Sequence, residues 1–78
     1  MLKKRSVTLS GHATSVALEA EFWTVLDAIA AVSGLTQAGL MKRIDEQRGR
    51  TPLASACRLL ALAWAGGDRS FIEQDSID

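Results

Sequence analysis

Three consecutive cations, Lys3, Lys4 and Arg5, stand near the start of the chain, and its single histidine, His12, follows closely. A basic run with no acid beside it suits phosphate, since each Lys or Arg set against a nucleic-acid backbone releases a condensed counterion. The other reactive residue types are sparse. One Cys (Cys57) and one His cannot supply the four ligands of a structural zinc site, and a lone Cys cannot close an intrachain disulfide. His12, Cys57 and the scattered carboxylates make no nucleophile, base and orienter set, and 78 residues leave little room for an active-site cleft. The expectation is a protein that is not an enzyme, with no cofactor and no bound metal.

Nine Lys plus Arg balance nine Asp plus Glu, but not evenly along the chain. Residues 1–18 carry Lys3, Lys4 and Arg5 alone, which is +3. Residues 19–67 set Lys42, Arg43, Arg48, Arg50 and Arg58 against Glu19, Glu21, Asp27, Asp45 and Glu46, and cancel. Residues 68–78 set Arg69 against Asp68, Glu73, Asp75 and Asp78, which is −3. A cationic front end faces anions such as phosphate, while the anionic back end keeps away from them.

The elements that must position these groups fit one small domain, residues 1–67, followed by an acidic tail, residues 68–78. At 47% hydrophobic content the chain is globular. A chain this short buries only about 60% of its unfolded surface, so a partner chain is the expected source of further burial. The stretch after Arg5 is too polar for a signal peptide, and the longest apolar stretch, Leu59 to Ala65, is far below the roughly 20 residues of a membrane span. With a free cysteine, these features suit a cytoplasmic protein with no membrane partner.

From Arg5 to Glu19 the sequence alternates and is rich in β-branched residues, which predicts extended strand. Val7 and Leu9 are odd-numbered, whereas Val16 and Leu18 are even-numbered. One uninterrupted strand would turn the two pairs to opposite faces, so Ser10 and Gly11 mark a bulge or turn. At Ala20 the period becomes helical, with Phe22, Leu26, Ile29 and Ala30 as a core stripe that Trp23 and Val25 widen. Gly34 is the expected stop, and Thr36 the hydroxyl N-cap of a second helix from Gln37 to about Arg48. Gly49 to Pro52 form a break, with Thr51 suited to N-cap and Pro52 to the first helical position of a third helix, Leu53 to Ala65. That helix is apolar nearly all round, and Cys57 and Trp64 are expected in the core. The tail has Phe71, Ile72 and Ile77 to anchor it and is expected to be poorly ordered unless the first two dock.

Strand, helix, Gly turn, hydroxyl N-cap and helix in this order resemble the ribbon-helix-helix family of DNA-binding proteins, to which the phage Arc repressor belongs. Thr14 to Trp23 is similar to that family's strand running into its first helix, and Ser33-Gly34-Leu35-Thr36 to its inter-helix turn. The likeness is nearest to a bacterial subfamily with a Ser-Gly-His-Ala-Thr-Ser segment, here Ser10 to Ser15, and an aromatic pair, here Phe22 and Trp23. It covers roughly Lys4 to Ala65, and the third helix is extra to the minimal family unit. The resemblance implies a mostly α fold with one N-terminal β segment. It also implies an intertwined homodimer that inserts an antiparallel β-ribbon in the DNA major groove.

With Val16 and Leu18 turned to the core, Ala13, Ser15 and Ala17 face outward as the candidate readout positions. Ala13 and Ala17 offer only methyl contact and Ser15 is a permissive reader, so affinity is expected to rest on backbone contacts. Lys3, Lys4 and Arg5 give six cations per dimer and a log–log salt slope of about −5 if all reach phosphate. His12 is a further candidate contact. The family's phosphate clamp at the second helix carries over to Thr36 and Gln37. Whether residues 5–9 or 13–18 form the readout face is open at this stage. The alternative function is a dimeric protein-interaction module, antitoxin-like or an adaptor, that uses helix 53–65 to hold a protein partner and binds DNA weakly or not at all.

Overall fold

A computed structural model describes residues 1–73. In chain order it contains β1 (Leu2–Leu9), β2 (His12–Glu19), α1 (Ala20–Ser33), α2 (Gln37–Gln47), α3 (Leu53–Ala65) and the single turn α4 (Ser70–Glu73). The N-terminal β structure is therefore two strands and not the one segment expected. They form an antiparallel hairpin whose register runs from Leu9 opposite His12 to Leu2 opposite Glu19.

A two-residue loop explains the change of parity. In this register every odd residue of β1 lies opposite an even residue of β2, so Val7, Val16 and Leu18 share one face and are all buried. Ser10 and Gly11 both adopt positive φ, 52° and 82°. Positive φ at both central residues is the condition of a type I′ turn, whose twist matches that of the strands it joins. Serine is the costlier of the two there, because a side chain in the left-handed region crowds its own carbonyl. Ser10→Asn is expected to raise stability by up to about 1 kcal/mol, since Asn tolerates that region well. An unchanged or lower unfolding midpoint in urea would contradict this.

Gly34 ends α1 in the left-handed conformation (φ 70°) and donates its N–H to the carbonyls of Ala30 and Ala31. The chain then bends by 99° into α2. Thr36 caps α2 as expected, its hydroxyl accepting the Gly39 N–H at 3.0 Å. At α3 the cap differs from expectation by one residue. Pro52 itself occupies the N-cap position, with no side-chain cap bond, so Thr51 lies one step too far out.

The helices pack on one face of the hairpin and the single chain closes a core of its own. Leu18, Leu26, Ile29, Leu40, Met41 and Cys57 are fully buried. Full burial of such side chains contributes about 1.5–3 kcal/mol each. Trp23 and Trp64 join this core, and the indole N–H of Trp23 donates to the Lys3 carbonyl at 2.8 Å, which fixes β1 on α1. Burial pushes the Cys57 thiol up to about 11, so it stays protonated and unreactive at neutral pH. On α3 only one face is covered, and Leu59 and Leu62 remain exposed. Phe71 of α4 is buried, so the acidic segment begins with a docked residue; the expectation for residues 74–78 lies outside the described residues. Among the described residues no single helix is long and apolar enough to cross a membrane.

Candidate nucleic-acid interface

With the helices on one face of the hairpin, the other face is left exposed. Its rows follow from the register: Lys4 opposite Ala17, Ser6 opposite Ser15 and Thr8 opposite Ala13. Lys4, Ser6, Thr8, Ala13 and Ser15 are exposed, and Ala17 is half-buried. Both extended segments contribute to this one exposed face. Ser6 and Thr8, which lie within the 5–9 alternative, belong to this surface. The signal for them was the parity change at Ser10 and Gly11, which fits a hairpin as well as a bulge.

At the far end of the same rows, Leu2 lies opposite Glu19. The Glu19 carboxylate is held by Arg58 of α3 at 3.0 Å. Its own backbone N–H and then Arg58 keep that carboxyl below the usual carboxylate range. Arg58 also sits 5.7 Å above the Phe22 ring. The one acid in the β2 row is therefore countered by a cation of its own chain.

The basic run splits between the two faces because neighbours on a strand alternate. Lys4 joins the exposed face. Lys3 and Arg5 lie on the helix side, opposite Leu18 and Val16. Arg5 makes a bidentate pair with Asp27 of α1, at 2.8 and 3.1 Å, and its guanidinium stacks 4.4 Å above the Trp23 ring. The Asp27 contact holds the Arg5 pKa above its ordinary value. Both side chains are well exposed, so the pair adds little to stability. Its effect is to orient Arg5.

Asp27 also accepts the Gln37 side-chain amide at 3.2 Å. Arg5 and the start of α2, the second region with candidate phosphate contacts, are thereby joined in one polar cluster behind the sheet. The Thr36 hydroxyl accepts the Gly39 N–H and retains its own O–H as a donor, beside first-turn N–H groups of α2 that have no intrahelical acceptor. His12 lies at the hairpin tip, exposed and opposite Leu9. Six of the nine candidates fall into two groups, an exposed face with Lys4, Ala13, Ser15 and Ala17 and a helix-side cluster with Arg5 and Gln37; Lys3, His12 and Thr36 belong to neither.

A family model described as a ribbon-helix-helix domain matches residues 2–65. That span reaches the end of α3, so the third helix lies inside the matched unit and is not an addition to it. No curated protein and no solved structure matches the chain.

Proposed function

Because the chain belongs to the ribbon-helix-helix family, whose fold is that of DNA-binding regulators and not of enzymes, we propose that it is a homodimeric transcriptional regulator that binds duplex DNA. The exposed hairpin face lies in the major groove, and the start of α2 in each chain stands beside the phosphates. The observation that carries this reading is the one-sided packing of the helices. It leaves a sheet face whose Ser6–Ser15 and Thr8–Ala13 rows are small and hydroxyl side chains that can approach base edges, with Lys4, Leu2 and Glu19 toward its far end.

The two chains join through β2. Each strand of the hairpin has an outer edge of unpaired N–H and C=O groups. Two β1 edges would gather Lys3, Lys4 and Arg5 of both chains, six cations, into one strand pair. From His12 to Leu18, β2 carries no formal charge at neutral pH, so two copies of β2 can pair without repulsion.

Fluorescence anisotropy on duplex DNA at low and moderate salt tests the function. With Arg5 held on Asp27 the six cations per dimer become four and the log–log slope is about −3.6; a slope of about −5 would report that Arg5 leaves Asp27 for phosphate. Absence of binding at micromolar protein in low salt would refute the reading. Deleting Met1 to Arg5 is not a clean variant, because that segment pairs with Val16 to Glu19.

A second reading, a module that holds a protein partner through α3, is favoured by the exposed Leu59 and Leu62. Leu59 also borders a groove of about 230 Å³ shared with Ile44, Arg48 and Leu60. A pull-down from cytosol that recovers DNA and no protein would count against it.

A further inference from the structure

Resting on the DNA-binding reading above, we infer that β1 is a backbone-contacting strand. Lys4, Ser6 and Thr8 grip the phosphates on either side of the groove that β2 reads.

The argument is one of width and register. Pairing two hairpins through β2 gives the strand order β1-β2-β2-β1. Adjacent strands lie about 4.8 Å apart, so the two β2 axes fit inside a major groove about 12 Å wide. The two β1 axes are three spacings apart, about 14 Å, and so fall outside the groove walls, over the sugar-phosphate backbone.

Register decides which side chains meet that backbone. Lys4, Ser6 and Thr8 are on the same face as Ala13, Ser15 and Ala17, and each is exposed. Their chemistry suits the position. A lysine ammonium and two hydroxyls donate hydrogen bonds to phosphate oxygens without regard to sequence, whereas the β2 partners opposite them are Ala17, Ser15 and Ala13, small enough to admit base edges. Among the described residues Lys4 makes no ion pair within the chain, unlike Arg5, so its charge is available to a phosphate. Lys3 is its control. It is the next residue, has the same charge and length, and lies on the opposite face.

Salt-dependent anisotropy on two duplexes of different sequence separates the roles, using Lys4→Ala, Lys3→Ala, the double variant Ser6→Ala/Thr8→Ala, and Ser15→Ala. All five positions are exposed, and circular dichroism checks the fold of each variant. Lys4→Ala should flatten the log–log slope by about 1.8, two phosphates per dimer at about 0.9 each, and weaken both duplexes by the same factor. Lys3→Ala should change the slope less. The double variant should weaken both duplexes equally, whereas Ser15→Ala should alter the ratio between them.

Equal slope changes for Lys3→Ala and Lys4→Ala, or an unchanged slope for Lys4→Ala, with wild-type binding intact, would overturn the inference alone. A double variant that shifts the preference between duplexes would overturn it too. Failure of the wild type to bind either duplex would instead remove the DNA-binding reading on which it rests.

Discussion

Trp23→Ala is expected to lower the thermal midpoint by roughly 15–30 °C. Trp23 is 2% exposed and lies where α1 meets the hairpin. Truncating a buried Trp costs about 3–5 kcal/mol, the lost transfer energy plus that of the cavity left behind. A chain of this length has a total stability of about 4–12 kcal/mol, so the loss is a large share. Each kcal/mol moves the midpoint of such a domain by about 4–8 °C. The substitution also removes the donor to the Lys3 carbonyl and the ring beneath Arg5, and so loosens β1 in particular. Trp23→Phe keeps most of the volume and removes the indole N–H; it should cost about 1–2 kcal/mol. Thermal denaturation followed by circular dichroism measures both. A fall of only a few degrees for Trp23→Ala would mean that β1 is not anchored there.

Ser15 should control DNA affinity in either direction. Ser15 is exposed at the middle of β2, opposite Ser6, so its replacements leave the core intact. Ser15→Asp places one carboxylate per chain among phosphates. A single such pair at 4 Å repels by about 1 kcal/mol in bulk water and about 4 kcal/mol near a protein surface. Two per dimer should therefore weaken binding by about 30-fold or more. Ser15→Arg should strengthen it by at least about tenfold at sites with guanine within reach, since a bidentate Arg–guanine contact is worth about 1–3 kcal/mol. Opposite signs at one position exclude misfolding as the cause. Anisotropy titrations in which both variants weaken binding equally would show that β2 does not face the bases.

The helices were legible in the sequence because their ends carry strong local chemistry. Gly34 and Thr36 punctuate the turn between α1 and α2, and both act as their residue types predict. The hairpin was half legible. The parity change between Val7 and Val16 was visible, but a bulge and a two-residue turn both produce it, and only the pairing from Leu2 to Leu9 decides between them. Leu2, Lys3 and Lys4 carry no strand pattern of their own and become β because β2 offers them a template.

The sheet face was also only partly legible. Ala13, Ser15 and Ala17 follow from period two on β2, whereas Lys4, Ser6 and Thr8 need the register across the turn. The Arg5–Asp27–Gln37 cluster joins residues far apart in sequence and leaves no local pattern. That pairing sets Arg5 apart from its neighbours Lys3 and Lys4.

A ribbon drawn from two chains cannot form until they collide, and its stability falls with dilution. Here the first strand pairing joins residues between Leu2 and Glu19, across a loop of two residues. Hairpins of this kind close in about 1–10 μs with little loop-closure entropy, long before two dilute proteins meet. For the proposed dimer, assembly is then a docking of sheets already formed, which does not have to wait on folding. A newly made chain carries its exposed hairpin face complete before a second copy arrives.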